Sequence, residues 1–178
     1  MSDQHDRFLT RLRGSSDAVF AVARYLHDKG KSIEIPAVRF APTANDAEQF
    51  VDSGDLIILD SDARRRLEVK RIRHTFTGAQ DWPFREVFIS NVAAVDRAKD
   101  VIAYVTVSAD LAYMVSVLTD TREDWYVTER LAGNTMNVER FYACTIDCAQ
   151  FYPLQAVPTT PAQAIATKRV AEYVMSGV

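Results

Sequence analysis

Gly54-Asp55-Leu56-Ile57-Ile58-Leu59-Asp60-Ser61-Asp62-Ala63-Arg64-Arg65-Arg66-Leu67-Glu68-Val69-Lys70-Arg71 is the stretch on which the fold turns. It reads as a hairpin: an apolar strand Leu56–Leu59, a polar turn Asp60–Ala63, and a second strand Arg64–Ile72. Folded symmetrically about that turn, Leu59 faces Arg64 and Asp55 falls opposite Glu68. Directly opposed residues of an antiparallel pair point to the same side, with Cβ atoms about 5 Å apart. Lys70 lies two residues beyond Glu68, so strand periodicity puts it on that side as well. The hairpin therefore gathers two carboxylates and one ammonium. Adjacent carboxylates repel, and one tends to take a proton unless a cation lies between them. A hard divalent ion such as Mg²⁺ meets that need, since it takes one or two carboxylates plus water and phosphate oxygens.

Working outward, charge follows the same strand. Residues 64–74 carry six positive charges and one negative, in a chain of 178 residues whose formal net charge is −3. The remainder is acidic, so cationic charge is concentrated beside the acid–acid–lysine group. A local basic patch on an acidic protein fits a polyanion docking in one place. A solvated edge strand carries such charges too, as protection against edge pairing. The coincidence with the acid–acid–lysine group favours the polyanion. Arg66 shares the face of Glu68 and Lys70 by parity, and a guanidinium there suits bidentate contact with phosphate. Arg65, Arg71 and Arg73 fall on the opposite face.

The rest of the chain fits one domain, 1–178, with a hydrophobic share of 48% and a charged share of 25%, both ordinary for a globular protein. There is no run of 18 apolar residues, so no membrane span is expected. The first residues lack an apolar signal core, which makes a cytoplasmic location the default expectation. Cys144 and Cys148 are the only cysteines. With no second Cys/His pair nearby they read as thiols near a strand, not as a zinc site.

Residues 6–29 look helical, with a break expected at Gly14 and a fresh N-cap in Ser15-Ser16-Asp17. Val19, Phe20, Val22, Ala23 and Leu26 form the expected apolar stripe, and Gly30 closes the helix. Ile33–Phe40 reads as a strand, and Pro42–Ser53 as loop. After the hairpin, residues 74–84 are loop by composition. Glu86–Ser90 is a short apolar run of either type, and Asn91–Lys99 has helical spacing. Val101–Ser108, Leu111–Leu118, Trp125–Leu131 and Val138–Ile146 are strand-like. Thr160-Pro161 opens a last helix ending near Gly177. This order predicts an α/β (α+β) domain: a mixed central β-sheet flanked by helices.

At Gly54-Asp55-Leu56 and Leu67-Glu68-Val69-Lys70 the chain resembles the PD-(D/E)XK, or restriction-endonuclease-like, nuclease superfamily. In that family an acid opens one strand and Glu-x-Lys lies on the strand paired to it. The core runs helix, three strands, helix, strand, the order read over residues 16–108. The resemblance implies such a core at about 16–118, with residues 125–177 as a family-specific extension. Gly54 stands where the family name has proline.

What the resemblance implies is a Mg²⁺-dependent nuclease, Mn²⁺ being able to substitute. Asp55 and Glu68 are the metal-ligand carboxylates, with the Val69 backbone carbonyl as a third ligand. Lys70 orients the attacking water or stabilises the transition state. Many members also carry an acid on the first helix, where this chain offers Asp17 or Asp28. Asn91 lies near the site if residues 85–97 cover the hairpin. The implied partner is DNA, with RNA left open, and a homo-oligomer would suit paired cuts. The alternative is a non-catalytic nucleic-acid-binding or protein-interaction module that keeps the fold. The triad also has a purely structural reading, a cross-strand salt-bridge ladder in which Lys70 balances Glu68 and Asp55 caps a turn. An acid opening so apolar a strand is costly unless something binds it, which weighs toward the nuclease. Trp82-Pro83-Phe84 and Phe76 offer stacking faces, although aromatics in a loop more often pack over a core edge. Tyr104, Tyr113, Trp125, Tyr126, Phe141 and Tyr142 are expected in the core or half-buried.

Overall fold

Leu56, Ile57 and Ile58 are all buried, which is why that strand reads as an unbroken apolar run: it is covered on both faces. The computed structural model of the chain describes residues 3–37, 55–60, 63–98, 100–131 and 138–154. The hairpin forms from β2 (Leu56–Leu59) and β3 (Arg64–Arg71), closed by reciprocal backbone bonds between Asp60 and Ala63. Its register pairs Leu59 with Arg64 and Leu56 with Leu67, as the symmetric fold-back requires.

Before it come α1 (Asp3–Asp28) and β1 (Ser32–Glu34); after it come β4 (Val87–Asn91), α2 (Val92–Arg97), β5 (Val101–Val107) and β6 (Tyr113–Leu118). Then follow β7 (Tyr126–Leu131), β8 (Val138–Cys144) and β9 (Gln150–Pro153). Six strands make the central sheet, in the order β1-β2-β3-β5-β6-β9. β3 and β5 are parallel, and the other neighbours are antiparallel. The sheet is mixed and the domain is α+β.

Three layers result. α1 covers one face of the central sheet, burying Ala18, Val19, Val22 and Ala23 against Leu56, Leu67, Val69 and Val105. On the other face, among the described residues, lie a second antiparallel sheet, β4-β8-β7, and the short α2, whose Val95 joins the same core. Val87 and Ile89 of β4 and Cys144 of β8 share a core with Tyr104, Val115 and Val117 of the central sheet. Parallel strands need a crossover. The one from β3 to β5 is built from a 3-10 turn at Ala79–Asp81, then β4 and the short α2. It therefore lays a strand over the sheet where a helix would be the commoner choice.

Several local expectations change. α1 runs unbroken through Gly14 and Ser15-Ser16-Asp17. An interior glycine costs about 1 kcal/mol relative to alanine, which the anchored segment 18–23 outweighs. Phe20 leaves the apolar stripe and is 61% exposed. Gly30 does end the helix: its φ is +80°, and Lys31 N–H to Leu26 O and Gly30 N–H to His27 O make a Schellman closure. Glu86–Ser90 resolves as strand β4, while β9 had no counterpart in the sequence reading. Of the strand expected over Ile33–Phe40, β1 keeps Ile33 and Glu34, and residues 35–37 are not strand. Residues 38–40, the loop Pro42–Ser53 and the helix 160–177 lie outside the described residues. Among the described residues no helix is long and apolar enough to cross a membrane.

The face assignment predicts a contrast. Leu56→Ala should lower unfolding stability by about 2–5 kcal/mol, and Phe20→Ala by no more than about 0.5 kcal/mol. Urea denaturation of the two variants reads both, and comparable losses would mean that α1 is docked on a different face.

Candidate functional site

β3 is a two-faced strand. Leu67 and Val69 point to the α1 core, so Arg66, Glu68 and Lys70 point to the other side. Continuing the β2–β3 register one step beyond Leu56 and Leu67 sets Asp55 opposite Glu68. Asp55 lies just outside β2, and its carboxylate does what the strand backbone would otherwise do: Oδ2 accepts the Val69 N–H at 2.7 Å. In an extended strand the N–H and C=O of one residue project to the same edge. The Val69 carbonyl therefore faces the Asp55 side too.

Glu68 accepts from Arg66 Nη2 at 2.5 Å. Both side chains are largely covered, at 17% and 23% exposure, so this is a charge-assisted bond in a half-buried setting. Arg66 also reaches the exposed Asp100 at 3.5 Å. On the parallel neighbour β5, Tyr104 sits beside Glu68 and Thr106 beside Lys70. Burial first, and the Glu68 charge second, push the Tyr104 phenol above its usual range.

The Lys70 amine spans the gap between the two sheets. It donates to the Ile89 carbonyl at 3.0 Å and to Ser90 Oγ at 2.8 Å, both on β4. Crowding by these groups strips water from the amine and pushes it below the usual 10.5, while the charges of Glu68 and Asp55 pull it upward. Lys70 as a whole still meets solvent, which screens both effects. The desolvated amine sets the direction, so the folded protein releases this proton at lower pH than the unfolded chain does. The cost of keeping the amine charged is full below its folded value and disappears as pH rises toward 10.5, so stability rises across that window.

The other sequence candidates separate from this group. Asp17, on α1, pairs with Arg71 at 3.7 Å, and both belong to the α1 face of the sheet. Asn91 caps α2 through Oδ1, which accepts Ala93 N–H at 2.9 Å, and its amide donates to Glu139 at 3.0 Å. Arg66 has its guanidinium on Glu68 and Asp100. Cys144 and Cys148 are free thiols; burial pushes Cys144 up to about 12, the behaviour of an inert core thiol. Phe76 and Trp82 are buried and stack edge-on at 4.8 Å, as loop aromatics over a core edge do. Ile89 O and Ser90 were missed by the sequence reading. Their only sequence signal is a short apolar run, and their role depends on where the crossover lands.

Among the described residues no three His, Cys, Asp or Glu side chains come together, which leaves two carboxylates and a carbonyl edge. Such a set fits a cation that keeps water in its shell and not an all-protein cage. Chemically, the arrangement offers two carboxylates, one bonded to the Val69 N–H and the other to the Arg66 guanidinium, and an amine within reach of their fields.

A lysine-resolved NMR titration should find the Lys70 amine losing its proton below 10.5. Glu68→Gln should lower it further, by removing the charge that pulls it up. An unchanged or raised value in that variant would contradict the proximity of the two groups. Comparison with family models, curated proteins and solved structures returns no significant match for this chain.

Proposed function

We propose that this protein is a Mg²⁺-dependent nuclease hydrolysing phosphodiester bonds of DNA, with a PD-(D/E)XK-like site at Asp55, Glu68 and Lys70. The observation that carries the reading is the Asp55–Val69 bond beside the Glu68–Lys70 face of β3. It holds one acid at the edge of the strand that bears the other acid and the amine. The order α1, β1, β2, β3, then a crossover to the parallel β5, supports a core of that superfamily. The strand β4 within the crossover is this chain's own variation.

Asp55 and Glu68 are the groups that would hold Mg²⁺ or Mn²⁺, with the Val69 carbonyl on the same edge. When bound, such an ion polarises a phosphate oxygen and acidifies a coordinated water. Lys70 is held by Ile89 O and Ser90 Oγ, which aim its amine across the cleft without neutralising it. Its depressed proton affinity suits a group that orients a water or gives up a proton as charge builds on the leaving oxygen. Arg66 balances Glu68 in the ground state; a phosphate entering the site competes for the same guanidinium with the geometry a fork prefers. Of the six positive charges of residues 64–74, Arg66 and Lys70 share the site face and supply the local attraction for the polyanion, while Arg64, Arg65 and Arg71 are paired with Glu34, Asp60 and Asp17.

A second reading is favoured by one observation. The Arg66–Glu68 contact of 2.5 Å already occupies one of the two acids, as a module that binds nucleic acid without cutting it would allow.

Incubating supercoiled plasmid or a labelled oligonucleotide with the protein separates the two. The nuclease reading expects cleavage that needs Mg²⁺ or Mn²⁺ and falls about a hundredfold or more in Asp55→Ala and Lys70→Ala. Equal rates in all three proteins would remove it, and salt-sensitive binding without cuts under either ion would establish the binding module.

A further inference from the structure

Beside the Lys70 amine, between the two sheets, lies a cleft of about 220 Å³ lined by Lys70, Ile72, Trp82, Phe84, Phe88 and Phe141, among others. Its polar atoms are few, and two of them, the Lys70 amine and Ser90 Oγ, are already bonded to each other. An ammonium has three N–H donors. Ile89 O and Ser90 Oγ take two of them, which leaves the third for an oxygen brought in by a ligand. The wall is stiff. Phe84 meets Trp82 at 5.6 Å, Phe88 at 5.9 Å and His74 at 5.3 Å, each edge to face. Trp82 is further tied by Nε1–H to the Glu86 carbonyl at 3.1 Å. Phe84, Phe88 and Phe141 are half-buried, and the Arg130 guanidinium lies over the Phe88 ring at 3.8 Å, which leaves Phe84 and Phe141 as the rings that could meet an occupant.

An occupant must therefore match a small aromatic slot and carry an anionic oxygen at one end. Sites for whole drug-sized ligands run to ~300–1,000 Å³, so this volume suits a single ring system. The Lys70 amine beside these rings argues for a ring joined to an anion, as in a phosphate-bearing polyanion, and not for a neutral peptide aromatic. Resting on the nuclease reading for the identity of that polyanion, we infer that the cleft seats one unstacked nucleobase of a single strand, next to the phosphate at Asp55, Glu68 and Lys70. A base in a duplex has both faces stacked and its edge paired, and enters such a slot only after extrusion. The substrate class is accordingly single-stranded nucleic acid, or a single-stranded segment of a larger one. Stacking on aromatic side chains tolerates any base, so the slot selects strandedness and not sequence.

The test is equilibrium binding by fluorescence anisotropy, with the full 178-residue chain in chelator at low salt, so that no hydrolysis is involved. Three probes of equal length are compared: an oligothymidylate, its abasic counterpart, and a duplex. The thymidylate strand should bind about tenfold or more tighter than either of the others. Phe84→Leu and Phe141→Leu keep apolar bulk but remove the ring, and should erase that advantage while leaving the abasic strand's affinity unchanged. Equal binding of thymidylate and abasic strands by the wild-type protein overturns the base seat without needing any variant. So does a duplex that binds as well as the single strand, or an advantage that survives both substitutions. If none of the three probes binds at low salt, the nucleic-acid reading itself falls. If they bind without base preference, only the seat falls.

Discussion

The pairing of Leu56 with Leu67 is the constraint on which the rest of the structure depends. It buries both leucines under α1 and, in the same step, sets Asp55 opposite Glu68. Because side chains alternate with a period of two, a slip of one residue would turn Leu67 and Val69 outward and drive Arg66, Glu68 and Lys70 into the α1 core. The apolar face thereby enforces the geometry of the charged one. The Asp55–Val69 bond completes this, since it satisfies a backbone donor just where β2 ends and the ladder loses its partner.

Charged residues on the inner side of a sheet need compensation. Arg66 and Glu68 compensate each other, and Lys70 leans on the backbone and hydroxyl of β4. This division explains why the crossover matters. A strand laid over β3 presents a carbonyl at Ile89 and a hydroxyl at Ser90 to the amine. A helix in that position would turn its carbonyls along its own axis. The same strand carries Phe88 into the cleft wall and Val87 and Ile89 into the second core, so one element supplies both the amine's partners and the apolar slot beside it.

The hairpin was legible because its signal is local. Turn, apolar run and alternation occupy one contiguous stretch, and an antiparallel register follows from loop length alone. The end of α1 was legible for the same reason, in Gly30. Gly14 misled because a glycine marks a break only where nothing else holds the helix, and here the segment after it is anchored in the core. Phe20 misled because an apolar stripe of five residues does not say which of its flanks meets the sheet. β4 was ambiguous, since a run of three apolar residues, Val87-Phe88-Ile89, suits a strand or a buried helix equally.

What the amino-acid sequence determined by itself is the content of one hairpin: its two strands, their register, and the acids and amine that register collects. These depend on contacts between near neighbours along the chain. Only the tertiary structure decided that β3 runs parallel to β5, that a second sheet covers the charged face, and that Lys70 rests on Ile89 and Ser90 while Asp17 stays with Arg71 on the far side. Those outcomes depend on where a long crossover comes to rest, and that is set by the burial of surfaces far apart in the chain, which no local pattern encodes.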